Sequence, residues 1–157
     1  MVNEIDSVLE CGSGLSTVFL EVMKRETLLS KSLTLEHSVQ WWTHVKSVLA
    51  KHQLGDESIA LCPLAGNWFD LNPLKPQHKG FYDLILIDSP PSRTSPEGRY
   101  PALAKLKDFI RSGTWIILDD FNREHEQNIV QSWLREYPIA LIEKVSIDTG
   151  LAVMRWI

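Results

Sequence analysis

Residues 5–16 read I-D-S-V-L-E-C-G-S-G-L-S: a short strand-like run, an acid at Glu10, and a turn built on Gly12 and Gly14. The chain then continues through Thr17, Val18, Phe19, Leu20, Val22 and Met23, apolar residues at helical spacing. Glycine takes backbone angles that other residues resist, and without a side chain it lets a ligand lie against the main chain. The order strand, glycine turn, helix is how open α/β folds place a binding site beyond the carboxyl end of the first strand.

The pattern also restricts the ligand. A dinucleotide fingerprint, Gly-x-Gly-x-x-Gly/Ala, requires a small third residue at position 17, where this chain has Thr17. A carboxylate at Glu10 would repel a pyrophosphate and suits a cationic or hydroxyl-rich ligand.

The remaining periodicities predict an α/β chain. Residues 32–36 form a second strand ending on Glu36, and Ser38 caps a helix with Trp41, Val45, Val48 and Leu49 on one face. Residues 58–61 form a third strand, and 63–80 a loop. F-Y-D-L-I-L-I-D (81–88) and W-I-I-L-D-D (115–120) are nearly continuous apolar runs, the signature of parallel strands buried on both faces. Between them lie a four-proline loop at 89–101 and a helix carrying Leu103, Leu106 and Ile110. A helix over 122–136 buries Ile129, Val130, Trp133 and Leu134, and a closing hairpin pairs Ile139–Val145 with Leu151–Trp156 across D-T-G. Strand and helix alternate to residue 136, which predicts a mostly parallel sheet with helices on both faces and an antiparallel addition from the hairpin.

Four predicted strands end on acids: Glu10, Glu36, Asp88, and Asp119 with Asp120. Parallel strands bring these ends to one rim, where open α/β proteins bind ligands. Glu36 follows Gly14 by about 20 residues, the offset of an acid that receives ribose hydroxyls.

Composition excludes other classes. The 157 residues are enough for one domain, and 44% hydrophobic with 23% charged residues is ordinary for a globular protein. A net charge of −4 offers no footprint for nucleic acid or an anionic membrane. No apolar run approaches the roughly 20 residues of a membrane span, and no basic segment leads into an apolar one at the N-terminus. Cys11 and Cys62, at strand ends, read as small buried thiols of a cytoplasmic protein.

The set L-E-C-G-S-G-L-S-T, T-L-E-H, Y-D-L-I-L-I-D-S-P-P, W-I-I-L-D-D and the Arg99-Tyr100-Pro101 triplet resembles class I S-adenosylmethionine (SAM)-dependent methyltransferases. In detail it is similar to the small-molecule O-methyltransferase branch, over about residues 5–156. The resemblance implies a Rossmann-like, doubly wound sheet of seven strands whose C-terminal strand is antiparallel. It implies methyl transfer from SAM to a small-molecule acceptor, a hydroxyl in this branch. It places Glu10, Cys11, Gly12, Ser13 and Gly14 along the methionine and ribose, Glu36 on the ribose hydroxyls, His37 beside the adenine, and Leu64 against the adenine ring. Asp88 would lie near the sulfonium and the acceptor, as cofactor contact and as catalytic base or orienting group. Asp88, Asp119, Asp120 and Asn122 are an alternative Mg²⁺ set, less favoured because helix capping accounts for Asp120 and Asn122 equally well.

The chain departs from the family at Ser16, where a third glycine is usual, and in starting its first strand within about five residues of Met1. A single domain, 1–157, without the N-terminal cap of many relatives would take its lid from the 63–80 and 89–101 loops or from a partner subunit, which favours a homodimer. Two readings from other classes stay open: a non-catalytic SAM-binding or scaffold protein, and an NAD-dependent oxidoreductase, against which Thr17 and Glu10 speak. Ser89-Pro90-Pro91-Ser92 resembles the proline loop of amino-group methyltransferases without its aromatic residue. Trp41, Trp115 and Trp133 suit core positions, Trp68 an acceptor site, Arg93 and Arg99 a solvated loop, and His125 with Glu124 and Glu126 a helix surface.

Overall fold

A computed structural model describes residues 5–91 and 98–157. The elements follow the predicted order: β1 (Ser7–Cys11), α1 (Leu15–Arg25), β2 (Lys31–Glu36), α2 (Val39–Lys51), β3 (Ile59–Leu61), β4 (Leu64–Ala65), β5 (Trp68–Phe69), β6 (Leu84–Ile87), α3 (Ala102–Lys105), β7 (Trp115–Asp119), α4 (Glu124–Glu136), β8 (Ile139–Val145) and β9 (Leu151–Trp156). Seven strands form one sheet in the order β3-β2-β1-β6-β7-β9-β8. β1, β2, β3, β6 and β7 pair in parallel, while β9 runs antiparallel to both of its neighbours. The doubly wound sheet with its antiparallel C-terminal strand is therefore as expected.

Strand order reverses between β1 and β6, the two strands that start the opposite halves of the sheet. A crevice opens at such a switch point because the connections leave in opposite directions. The glycine turn after β1 and Asp88 after β6 flank it.

The two faces of the β6-β7-β9 half differ. Ile85, Ile87, Ile116, Leu118, Ala152 and Met154 are buried in the main core with Leu103, Val130 and Trp133. Their neighbours in sequence, Leu84, Leu86, Trp115, Ile117, Leu151 and Val153, share the other face and are only half-buried. On that face the apolar clusters of the described residues centre on α1 and α2, beside β1, β2 and β3, and reach β6 only through Leu84 and Leu86.

Several local expectations need correction. Residues 63–80 are not simply a loop: β4 and β5 pair as a hairpin and Pro76–His78 makes a 3-10 turn. Trp68, expected in an open loop, is 1% exposed within the core because the hairpin turns its indole inward. The helix after the proline loop is one turn, Ala102–Lys105, continued by a 3-10 turn at Lys107–Phe109. Trp41 is half-exposed, Arg99 is buried instead of solvated, and Glu126 is buried instead of lying on a helix surface. Arg93 and Ser92 lie outside the described residues. Cys11 and Cys62 are buried free thiols, and burial in apolar surroundings pushes both above the ordinary thiol range.

Candidate functional site

Only one of the two loop glycines is needed by the backbone. Gly12 has φ +101°, and a Cβ there would lie 2.6 Å from that of Ser89. Gly14 is extended, with φ −176°, and has nothing within 4 Å of a built Cβ. The turn is fixed by hydroxyls as well as by glycine. Thr17 Oγ1 accepts from the Gly14 amide at 2.9 Å and donates to Glu10 Oε2 at 2.7 Å. Thr34 donates to the same oxygen at 2.9 Å, and Ser16 donates to Glu10 Oε1. Thus Ser16 and Thr17, the departures from glycine patterns, anchor the first turn of α1 to the sheet. Burial pushes the Glu10 carboxyl above its ordinary range, partly opposed by these three donors.

Glu36, at the tip of β2, is likewise buried and braced. Its Oε2 accepts from the Ser13 amide at 3.0 Å and the Ser13 hydroxyl at 2.6 Å; its Oε1 accepts from the Ser38 amide at 2.8 Å. A carboxylate has about four lone-pair positions, so acceptor capacity remains for a ligand. Ser38 caps α2 by accepting from the Trp41 amide at 3.2 Å, as predicted. Trp41, in the first turn of α2, points back toward the glycine loop, donates Nε1–H to the Ser13 carbonyl and stacks on His44 with centroids 5.1 Å apart. Sequence reasoning assigned this indole to the core. Its place in the first turn after a cap, with helical side chains leaning toward the N-terminus, is the signal that would have found it.

On the far side, Arg99 ties together the ends of β6 and β7. It is 2% exposed. It donates to the carbonyls of Pro90 (3.3 Å), Asp119 (2.9 Å) and Asp88, and pairs with Asp88 Oδ1 at 3.2 Å and Asp120 Oδ2 at 2.9 Å. Glu126 Oε1 stands 3.7 Å away. Asp120 also pairs with Arg123 at 2.8 Å. The Asp88 side chain remains 63% exposed. Although the side chain meets solvent on one side, partial desolvation of its carboxyl, opposed by Arg99 and reinforced by Asp119 and Asp120, pushes it up to about 6.

These groups enclose a cavity of about 610 Å³ whose walls include Gly12, Ser13, Glu36, His37, Trp41 and Asp88, with Arg99 and Asp120 beyond. The volume falls in the range of small-molecule sites. A second cavity of about 230 Å³ shares Asp88 and adds Glu10, Ser16, Leu86, Ile117 and Asp119. Of the predicted site residues, Gly12, Ser13, Glu36, His37 and Asp88 meet in the larger cavity. Glu10 lines the smaller one, and Gly14 lies on a third, apolar hollow of about 200 Å³ between α1 and α2. Cys11 is 0% exposed in the core, and Leu64 packs half-buried against that core instead of lining the large cavity.

The alternative Mg²⁺ set does not fit. Asn122 Nδ2 donates to the carbonyls of Asp148 (3.0 Å) and Ser146 (3.5 Å), holding the β8–β9 turn. Asp88 and Asp120 are already paired to a guanidinium. Among the described residues no three His, Cys, Asp or Glu side chains group so as to hold a metal ion.

No family model and no curated protein matches the chain. Solved structures do. The O-methyltransferase from Bacillus cereus in complex with S-adenosylhomocysteine (SAH) is 18% identical, with a TM-score of 0.68 over 98% of this chain and 75% of that one. The fold is that of the class I methyltransferases. The O-methyltransferase TomG from Streptomyces achromogenes, in complex with SAM, is 14% identical with a TM-score of 0.66 over 98% and 74% of the two chains. The Bacillus subtilis m1A22 tRNA methyltransferase TrmK is 16% identical, at 0.62 over 98% and 62%. Methyltransferases of this fold thus serve acceptors as different as those of an O-methyltransferase and tRNA. No helix of the described residues is long and apolar enough to cross a membrane.

Proposed function

We propose that this chain is a SAM-dependent methyltransferase acting on the hydroxyl of a small-molecule acceptor. The observation that carries the reading is Glu36. Its carboxylate stands at the tip of β2 on the wall of the large cavity, held by three hydrogen bonds from Ser13 and Ser38 with about one acceptor position to spare for a ribose hydroxyl. Across the loop, the exposed Trp41 indole offers a flat face to a base, and His37 lies beside it on the same wall. Asp88, Glu10 and Asp119 line the smaller cavity that Asp88 shares with the larger one. Carboxylates there complement a sulfonium and an ammonium and oppose a pyrophosphate, which favours SAM over a dinucleotide.

When bound, SAM supplies an electrophilic methyl group that passes to the acceptor oxygen as its bond to sulfur breaks. The chain positions the two reactants, a contribution of roughly 7–11 kcal/mol in well-oriented systems. Asp88, ionised above about pH 6, takes the acceptor's hydroxyl proton. Arg99 holds Asp88 in place, and the Gly12 main chain, free of a side chain, leaves room at the loop.

Calorimetric titration with SAM and SAH, on wild type and Glu36→Gln, tests this reading. Micromolar binding weakened at least tenfold by the substitution is expected, since hydrogen bonds to a charged group contribute about 1.5–3 kcal/mol each. No binding at millimolar SAM would end it. Binding without turnover across a panel of phenolic and aliphatic hydroxyl acceptors would favour a non-catalytic SAM-binding protein.

A further inference from the structure

Six oxygens from three parts of the chain surround one buried cation. They are the carbonyls of Asp88, Pro90 and Asp119 and the carboxylates of Asp88, Asp120 and, at 3.7 Å, Glu126. Divalent cations such as Mg²⁺ and Ca²⁺ also take oxygen shells with several carboxylates, but among the described residues these carboxylates do not group so as to hold a metal ion themselves. Here the centre is the Arg99 guanidinium, whose side chain is 3% exposed. We propose that Arg99 is the built-in cation of this site, a positioning residue that orients Asp88 and joins the ends of β6 and β7 in the role a divalent metal ion would otherwise fill.

The guanidinium is suited to that role. It stays protonated at any working pH and presents its donors in a fixed plane. It does not dissociate, so the site is loaded in every molecule. One nitrogen, NH2, spans Asp88 Oδ1 and Asp120 Oδ2, while NH1 takes the Asp119 carbonyl and Nε the Pro90 carbonyl. The segment that lines the large cavity beside Asp88, Ser89–Pro91, is thereby fixed to β7. The excess of acid behind the arginine is real. Glu126 is fully buried, and neither of its oxygens has a hydrogen-bond partner among the described residues. Three carboxylates share the Arg99 guanidinium, and one of them, Asp120, also takes Arg123.

The functional part of the proposal rests on the reading of Asp88 as the acceptor's base; the electrostatic part does not. A purely mechanical tie would leave the titration of Asp88 to its solvent exposure. The Arg99 charge instead opposes the rise that desolvation causes, so its removal and the removal of a competing carboxylate must move the midpoint in opposite directions.

The test is carbon-13 NMR titration of the Asp88 carboxyl in the ligand-free protein, with Mn²⁺ as a paramagnetic probe. In wild type we expect a midpoint near 6 and no selective broadening of Asp88 or Asp120 at millimolar Mn²⁺. Arg99→Met should raise the midpoint, Arg99→Lys should hold it near the wild-type value, and Asp120→Asn, an isosteric change, should lower it. Selective Mn²⁺ broadening of Asp88 and Asp120 in wild type would overturn the proposal, and so would a midpoint indifferent to these substitutions. Should Arg99→Met fail to fold, the wild-type Mn²⁺ arm and the Asp120→Asn shift decide the matter. These readouts need neither SAM nor turnover, so failure of the methyltransferase reading is seen separately. In an active enzyme the acid limb of kcat should follow the Asp88 midpoint, with KM for SAM changed less than threefold.

Discussion

Gly12 and Ser89 touch across the switch point of the sheet: a methyl group on Gly12 would sit 2.6 Å from the Ser89 Cβ. The contact joins the first βα turn to the end of β6, so the two halves of the candidate site share one backbone geometry. Gly12→Ala should destabilise the protein by about 2–4 kcal/mol, from an unfavourable φ and a steric collision. Gly14→Ala, extended and uncrowded, should stay within about 0.5 kcal/mol. Urea unfolding of the two variants measures the difference. Equal costs would mean the loop relaxes in solution.

Asp88 should give the site its pH dependence. Its folded-state carboxyl titrates near 6, above the ordinary carboxyl range. The folded protein therefore takes up this proton before the unfolded chain does. The contribution to stability is complete below about pH 4 and is lost as pH rises through about 6. Melting temperatures of wild type and Asp88→Asn should move apart in favour of wild type as pH falls from 7 to 4. Activity should run the other way, with an acid limb near 6 that Asp88→Asn removes together with about 10²–10⁴ of the rate.

Thr17→Val keeps the shape of the side chain and deletes the hydroxyl between Gly14 and Glu10. It leaves the buried Glu10 with one donor fewer and the Gly14 amide unpaired. A cost of about 1–3 kcal/mol is expected by thermal or chemical unfolding. A neutral or stabilising result would show Thr17 to be mere packing.

Ile116 and Ile117 are consecutive on β7 and face opposite sides of the sheet. Ile116 is 0% exposed in the core, whereas Ile117 is half-buried on the side where β6, β7 and β9 lie open. Ile116→Ala should cost about 2–5 kcal/mol, and Ile117→Ala less than half as much. Similar costs in the two variants would mean that the open face is covered in solution.

Trp41→Ala should weaken SAM binding about tenfold or more while leaving stability close to wild type, since the indole is half-exposed. Calorimetry and a melting curve on the same sample separate the two effects. Loss of stability without loss of binding would return Trp41 to the structural role first read from its helical spacing.

Local patterns with strong physics behind them were legible in the sequence. The apolar runs ending at Ile87 and Asp119 carry the mark of strands buried in a parallel sheet, and the hairpin Ile139–Val145 with Leu151–Trp156 carries strand propensity on both sides of a glycine turn. Alternation of strand and helix then brings Glu10, Glu36, Asp88 and Asp119 to one rim, because every parallel strand ends on the same side. Ser38 announced its helix for an equally local reason, a hydroxyl placed to meet unpaired amides.

What the sequence determined by itself was therefore periodicity, strand direction and the rim on which the acids lie. The tertiary structure alone decided which of those acids face a cavity, because that depends on partners distant along the chain. Glu10 is held by Thr34, Glu36 by Ser13, and Asp88 and Asp120 by Arg99. It also turned Trp68 inward, by folding residues 64–69 into a hairpin that no periodicity of two-residue strands could reveal, and left Trp41 half-exposed against the glycine loop. Burial of Arg99 and Glu126 follows the same rule: a charge enters the interior only where opposite charges or carbonyls meet it, and such meetings are properties of the fold and not of any segment.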